Sequence, residues 1–414
     1  MRKSRPSESE TALNSSSFLK QMGPAWIVSA VACGPATMAS VSLAGALFGY
    51  QLLWVVILSA LLAFVAQFMA AKLGIVTGKG IIALVDQRLG NTWGWILMID
   101  ALLATWLAST ILMKAFVDVT ALITGLTSPW WSLLYATFVF LIVGMGGYKL
   151  LEWVCKVLVS IVVLCFIITV LVVTPDLTKI LKGLIPTIPG GIDSALMMAG
   201  IMGGAVHITI IAMHTYNVNS KGWGQGQMKL AWMDTFFSMF IAFGLYSVAI
   251  FLATASALHP ENIKITSAMD LAKALKPFLG PYAGAVFLAG LWGAVLTTIT
   301  PTFLAAGYFL SDKMGWELNV KDPRFKAVVF VGCLLSLIGP MLKGSFLFLL
   351  VLMLALGLCG TPFIIIIIIL LLNKKDVVRD YKNSLVLNAL GVLTLLVTSL
   401  LAIRFILSKL GLWG

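Results

Sequence analysis

Long apolar runs follow one another along this chain, separated by short polar connections. Most runs are about twenty residues long, the length that an α-helix needs to cross the hydrocarbon core of a bilayer. They lack the polar–apolar alternation over about ten residues that marks a strand of an outer-membrane barrel. The pattern therefore predicts about eleven membrane-spanning helices, near residues 24–49, 51–75, 94–124, 129–148, 152–174, 192–218, 230–256, 282–311, 326–340, 345–372 and 383–411.

The composition excludes a soluble protein. Of the 414 residues, 60% are hydrophobic and only 11% are charged, and the mean hydropathy is +1.03. A soluble domain could not bury this much apolar surface, so the fold class is an all-α integral membrane protein. The five cysteines all lie in apolar runs without metal-ligand spacing, so we predict no disulfide framework, no metal site formed by cysteines and no cofactor.

The charge distribution predicts the orientation in the membrane. A net charge of +12 would suggest nucleic acid for a soluble domain, but here the basic residues lie mostly in the connections between spans. With the N-terminus inside, about 17 Lys and Arg lie on the cytoplasmic side and about seven outside. We therefore expect a multi-pass protein of the inner cell membrane, with the lipid bilayer and not nucleic acid as its partner, the N-terminus cytoplasmic and the C-terminus outside.

Two apolar runs are interrupted in corresponding ways. The first run contains Gly34-Pro35-Ala36-Thr37, and the sixth contains Gly203-Gly204-Ala205-Val206-His207. Broken helices and ionisable groups are tolerated in a membrane where they line a cavity, and matched breaks in two halves indicate a transport site. We infer a repeat of five plus five spans of inverted topology. The expected divisions are a disordered cytoplasmic tail at 1–19, repeats at 20–180 and 181–382, and an extra helix at 383–414.

Several segments resemble the NRAMP family of divalent-metal transporters. The most specific lies within 44–79, and the others are Gly23–Trp26, Gly200–Val206, Thr298–Thr302 and Pro362–Phe363. The resemblance covers about residues 23–380 and implies a LeuT-like fold with broken first and sixth helices, which suits a secondary transporter rather than an enzyme. It also places the substrate site at the two breaks.

The chain departs from the family where the family binds its metal. The first-break motif Asp-Pro-Gly-Asn is replaced by Gly34–Thr37, and the sixth-span motif Met-Pro-His aligns with His207–Thr209. A tenth-span glutamine of the family matches Gly360, and its second sixth-span histidine matches His214. We predict a substrate site formed by Gly34, Pro35, Ala36, Thr37, Gly203, Gly204, Ala205, His207, Thr209 and Gly360. Asp100 and His214 are candidates for a proton or exit path.

The missing ligands suggest a changed substrate. Without the carboxylate and the thioether, the site is a poor cage for a bare transition-metal ion. A wider, uncharged pocket facing two helix N-termini favours a small carboxylate such as citrate, alone or bound to a metal ion, so that a metal enters only as part of the substrate. Against this, no Arg or Lys lies near either break. The alternatives are a transporter of hydrated Mg²⁺ or Mn²⁺ and a membrane sensor without transport; we expect a monomer in each case.

Overall fold

The computed structural model describes residues 23–145, 148–261 and 265–412, with side chains except at 144–159. The predicted tail at 1–19 lies outside these residues. The described chain is helical and contains no strand. Its first half comprises α1 (Pro24–Ala32), α2 (Pro35–Phe48), α3 (Leu53–Thr77), α4 (Ile81–Leu89), α5 (Asn91–Thr124), α6 (Trp130–Met145), α7 (Tyr148–Val173) and α8 (Leu177–Gly183).

The second half repeats the pattern of one broken helix followed by long helices. It comprises α9 (Ile192–Ala205), α10 (Ile208–Ser220), α11 (Met228–Thr235), α12 (Phe243–Ala257), α13 (Ala268–Ala272), α14 (Lys276–Leu279), α15 (Ala283–Met314), α16 (Pro323–Ser336), α17 (Phe346–Asn373), α18 (Lys375–Val378) and α19 (Leu385–Lys409). A π-helical stretch, Phe236–Ala242, joins α11 to α12.

The predicted spans all correspond to helices, with ends that differ by a few residues. Eight continuous helical segments of the described chain are long and apolar enough to cross a bilayer, and two shorter apolar helices cover Trp130–Val143 and Ser160–Val173. The ninth predicted span is short, as expected, because α16 ends at Ser336 and continues only as a turn of 3₁₀-helix at Gly339–Met341. The divisions at 180 and 382 and the orientation of the termini stay predictions.

Local chemistry explains the first break. Pro35 is the first residue of α2, where its missing N–H costs nothing and its fixed φ suits the helix. Gly34, immediately before it, is extended, with φ −73° and ψ −178°, as expected for a residue that precedes proline. The helix therefore stops at Ala32 and restarts at Pro35.

The second break lies beyond the two glycines. Gly203 and Gly204 are both inside α9, and the residues that leave the helix are Val206 and the extended His207. A Cβ on Gly203 would collide with the carbonyl oxygen of Leu354, and one on Gly204 with the hydroxyl of Thr37. These glycines therefore permit close helix approach and do not form the break, which corrects the expectation from the sequence.

Both broken helices lie in the centre of the molecule. Residues from Pro35 to Ala46 are buried without interruption, and the most apolar stretch of Ile192–Ser220 is buried throughout. The half-helix α9 packs against α2, α17 and α19, and α15 packs along α5. Other helices therefore surround the two breaks and separate them from lipid.

A buried carboxylate holds the start of the first helix. Asp234, in α11, accepts hydrogen bonds from the backbone N–H groups of Gly23 (3.1 Å) and Ala25 (2.9 Å). These are two of the donors that the first turn of a helix leaves without intrahelical partners. By accepting these hydrogen bonds, the Asp234 carboxylate connects the start of α1 to the seventh span.

Candidate functional site

A small cavity of about 50 Å³ lies between the two breaks. Seven of the ten predicted substrate-binding residues line it: Gly34, Ala36, Thr37, Gly203, Gly204, His207 and Thr209. The lining that was not predicted to bind substrate comes from α1, α5, α10, α15 and α17, namely Val31, Ala32, Ala108, Leu112, Ile210, Thr298, Thr302, Met353 and Leu354. Whether these residues bind substrate stays a prediction.

Three predicted residues are not part of this lining. Pro35 and Ala205 are buried beside the breaks, where they belong to the helix ends. Gly360 lies against α5, because a Cβ built on it would be 2.5 Å from a carboxylate oxygen of Asp100. Gly360 therefore makes room for Asp100. It does not line the cavity, although the sequence analysis had included it in the substrate site.

Threonine hydroxyls supply most of the polar lining, and two of them, on α15, have protons that are already engaged. The Thr298 hydroxyl donates to the carbonyl of Ala294 (2.8 Å), and the Thr302 hydroxyl donates to the carbonyl of Thr298 (2.7 Å). A hydroxyl has one proton and two lone pairs. Since the protons point to carbonyl groups, these oxygens have only lone pairs left for whatever occupies the cavity.

Thr209 is in the same state through a neighbouring hydroxyl. The Thr105 hydroxyl donates to the carbonyl of Ala101 (2.6 Å), and its oxygen lies 3.3 Å from that of Thr209. With the Thr105 proton committed to Ala101, only the Thr209 hydroxyl could donate in a hydrogen bond between the two. The Thr209 oxygen therefore also retains lone pairs, as do those of Thr298 and Thr302.

His207 caps the second half-helix. Its Nδ1 accepts a hydrogen bond from the backbone N–H of Thr209 (3.2 Å), so the proton of the neutral ring is assigned to Nε2. The lone pair of this imidazole is thus used at the start of α10. In this arrangement the ring positions the break, its Nε2–H is left as a possible donor, and it is not a free metal ligand.

A glycine of the tenth span makes room for this ring. A Cβ on Gly357 would overlap the His207 imidazole. In addition, the Thr361 hydroxyl, one turn further along α17, donates to the carbonyl of Val206 (2.7 Å). The tenth span therefore fixes the second break at two adjacent points. The sequence analysis missed both residues because nothing in the local sequence of α17 indicates the neighbouring helix.

Gly34 and Thr298 are matched across the first break. A Cβ on Gly34 would be 2.5 Å from the Thr298 hydroxyl oxygen and 2.8 Å from the carbonyl oxygen of Val31. The hydroxyl of α15 thus occupies the space next to Gly34 toward which a side chain at that position would project. The resemblance places the family's metal-binding carboxylate at this position.

The two candidates for a proton or exit path lie away from the cavity lining. His214 is fully buried, and its Nδ1 lies 3.0 Å from the amide oxygen of Gln67 in α3. Asp100 is half-buried on α5 beside Gly360. Neither residue contacts the cavity, and their roles stay predictions.

Charge is lacking at the cavity as well. No charged side chain is among the residues that line it. Within 23–145, 148–261 and 265–412, moreover, no three His, Cys, Asp or Glu residues are grouped closely enough to hold a metal ion. Any ion in this cavity would therefore meet neutral oxygen atoms, water and helix dipoles.

Comparison with known proteins identifies the family. The family model described as natural resistance-associated macrophage protein-like (Nramp) matches residues 25–408, nearly the whole chain. The chain belongs to this family. A divalent metal cation transporter MntH of Caldanaerobacter subterraneus is 26% identical over 394 residues, with 91% of this chain and 90% of that protein covered. A protein of the same name from Erwinia tasmaniensis is 30% identical over 329 residues, with 74% and 77% covered.

Solved structures show the same fold at lower identity. A manganese transporter of Eremococcus coleocola, in complex with an aromatic bis-isothiourea compound, superposes with a TM-score of 0.74 at 18% identity and covers 97% of this chain and 88% of its own. Mhp1, a nucleobase-cation-symport-1 family transporter, gives 0.61 at 16% identity, with 95% and 94% covered. The predicted LeuT-like fold is confirmed, and this Nramp protein is a multi-pass membrane transporter and not an enzyme.

Proposed function

We propose that this Nramp protein transports a divalent cation, Mn²⁺ or Mg²⁺, that keeps much of its hydration shell in the site. The observation that carries the proposal is the orientation of the threonine hydroxyls. Thr209, Thr298 and Thr302 direct lone pairs, not protons, toward the cavity. Lone pairs bind a cation or the hydrogens of its water ligands, and hard divalent cations take oxygen ligands.

The carboxylate substrate expected from the sequence fits less well. One water needs at least about 10–15 Å³, so a cavity of about 50 Å³ holds only a few waters and is small for a tricarboxylate. The start of α10 is also less available to an anion, because His207 already accepts its Thr209 N–H. The names of the curated relatives point the same way, since both proteins cited are called divalent metal cation transporters.

A site without a carboxylate can hold the ion when the ion keeps its water ligands. Mg²⁺ in particular dehydrates reluctantly and usually keeps several waters. Neutral hydroxyl oxygens can accept hydrogen bonds from those waters. The C-terminal ends of α1 and α9 at the two breaks add the negative ends of two helix dipoles.

The test is ion uptake into proteoliposomes with a variant that removes one oxygen. Thr298→Val keeps the shape of the side chain, and we expect the apparent affinity for Mn²⁺ or Mg²⁺ to fall by about 10- to 100-fold, because a hydrogen bond to a charged group contributes about 1.5–3 kcal/mol. Thr398→Val is the matched control, since Thr398 is buried in α19 with its hydroxyl on the carbonyl of Thr394 (2.7 Å).

Three results would contradict the proposal. Citrate uptake that needs no divalent cation would restore the carboxylate substrate. Cation binding without flux under any gradient would favour a sensor. An affinity that is the same in Thr298→Val and in wild-type protein would remove the hydroxyl oxygens from the site.

A further inference from the structure

A second, larger cavity lies on the other side of α1. Its volume is about 430 Å³, and it is enclosed by α1, α7, α15 and the seventh span. The end of α1 separates it from the small cavity between the two breaks. Val31, Ala32 and Gly34 line the small cavity, whereas Ala30 and Cys33 line the larger one. The same division occurs in α15, where Thr298 lines the small cavity and Thr297 lines the larger one. The two cavities are therefore distinct, and α1 and α15 line both of them.

The mouth of the larger cavity is largely apolar, with one exposed hydroxyl from Ser160. Trp26 and Leu164, which both line it, are 40% and 56% exposed. Leu164 lies within the fifth span, and nearby spanning residues such as Ile161 and Leu245 are also exposed. Exposed apolar side chains at this depth of a membrane protein face lipid tails. A ligand would therefore enter from the bilayer and not from water.

The deep end of the same cavity is polar. Tyr246 is 2% exposed, and its hydroxyl has no hydrogen-bond partner among the described residues. Leaving a buried hydroxyl without a partner costs about 1–3 kcal/mol. Elsewhere in the lining, the Thr297 hydroxyl donates to the carbonyl of Ala294 (3.0 Å), and Cys33 contributes a thiol. The Tyr246 phenol is thus a donor without an acceptor, in a lining that also contains hydroxyl and thiol groups.

We propose that this cavity binds an uncharged amphiphile dissolved in the bilayer, with a hydroxyl or carbonyl group at its inner end and an apolar body at the mouth. The inner group would accept the hydrogen bond of Tyr246. A volume of about 430 Å³ lies in the range of small-molecule pockets, about 300–1,000 Å³. No charged side chain is among the described lining residues, so the ligand is neutral.

A phospholipid is the less suitable occupant. Its headgroup is charged and stays at the membrane surface, whereas the polar end of the cavity lies at the break in the first span, between Ala32 and Pro35. An acyl chain alone would leave the Tyr246 hydroxyl without a partner. The geometry thus favours a molecule whose only polar group can reach the middle of the bilayer.

The experiment is photolabelling of the full-length protein in liposomes with a diazirine-bearing octanol, followed by peptide mapping. We expect label on residues 26–33 and 242–246, and competition by unlabelled octanol but not by octane. Tyr246→Phe should reduce this labelling several-fold. Tyr50→Phe is the matched control, because the Tyr50 hydroxyl already has a partner in Ser256 (2.6 Å). Ala30→Leu should narrow the cavity and reduce the label, and Ala242→Leu serves the same purpose if the first variant does not fold.

Two outcomes would overturn the proposal. Label distributed over all lipid-facing helices, unchanged in Ala30→Leu or Ala242→Leu, would mean that the cavity is not a site. The second measurement uses protein with Cys33 as its only cysteine. Rapid reaction of Cys33 with a charged, membrane-impermeant thiosulfonate would show a water-filled vestibule, whereas selective reaction with a neutral lipophilic reagent supports a site filled from the bilayer.

Discussion

The contact between Gly34 and Thr298 can be tested by a double-mutant cycle. In Gly34→Ala, the new Cβ would lie 2.5 Å from the Thr298 hydroxyl oxygen and 3.2 Å from its methyl carbon. Carbon atoms in good contact are about 3.5–4.0 Å apart, so the hydroxyl would have to move by about 1 Å. Overpacking of this kind costs about 1–3 kcal/mol. Thr298→Ala removes the clashing atoms, but the contact of 2.8 Å with the Val31 carbonyl oxygen remains.

The assay is unfolding of the purified protein in mixed micelles, which reports the free energy of unfolding without depending on transport. We expect Gly34→Ala to lose about 1–3 kcal/mol. In that background Thr298→Ala should cost less than it does alone, with a coupling energy of about 0.5–3 kcal/mol. Thr298→Ala should restore only part of the stability that Gly34→Ala loses. The clash with the backbone carbonyl oxygen of Val31 remains, because a backbone atom cannot rotate away as a side chain can.

The matched control is Gly244→Ala in the seventh span, where the nearest atom to a new Cβ is the Cβ of Ala60 at 3.3 Å. It should cost less than Gly34→Ala and should not couple to Thr298→Ala. The reasoning is refuted if Gly34→Ala and Thr298→Ala are additive within about 0.3–0.5 kcal/mol, the usual limit for independent sites.

Three further predictions follow from single contacts. Asp234→Asn removes the charge that holds the first amides of α1, so hydrogen exchange there should accelerate about 10- to 100-fold; unchanged mass-spectrometric protection would contradict this role. Gly357→Ala should displace the His207 ring and weaken Mn²⁺ binding by roughly 5- to 150-fold in calorimetry, and unaltered affinity would mean that the ring is dispensable. Arg404→Ala breaks the bond from the guanidinium to the Pro189 carbonyl (2.5 Å) and should lower unfolding stability by about 1.5–3 kcal/mol without changing cation affinity; a change confined to affinity would argue against this structural role.

The spans were predictable because the bilayer imposes a simple rule. A helix that crosses about 30 Å of hydrocarbon needs about twenty apolar residues wherever it lies in the fold, and α3, α17 and α19 satisfy this locally. The first break was more local, since Pro35 disfavours a helix that runs through Gly34 and suits the first residue of a new one, although Pro301 and Pro362 lie inside continuous helices. The sixth-span break was located only to within a few residues, because its glycines serve packing and the extended backbone follows them at His207.

The lining of the cavity was predicted in part, and the contacts that were missed have a common cause. Thr298 and Gly357 lie on the eighth and tenth spans, far along the chain from the breaks that they contact. Nothing in their local sequence distinguishes them from packing residues. Gly360 illustrates the opposite error, since alignment with the family placed it at the site, whereas the structure places it against Asp100.

The sequence by itself determined the membrane class, the succession of helices, the presence of two breaks and the loss of the family's metal-binding side chains. These properties depend on hydrophobicity and on the chemistry of single residues. The tertiary structure decided the volume of the cavity, the direction in which Thr298 and Thr302 turn their protons, and the use of the His207 lone pair as a helix cap. Hydrogen bonds and steric limits of this kind join groups that are distant in the chain, so only the packed helices determine which substrate the broken helices can accept.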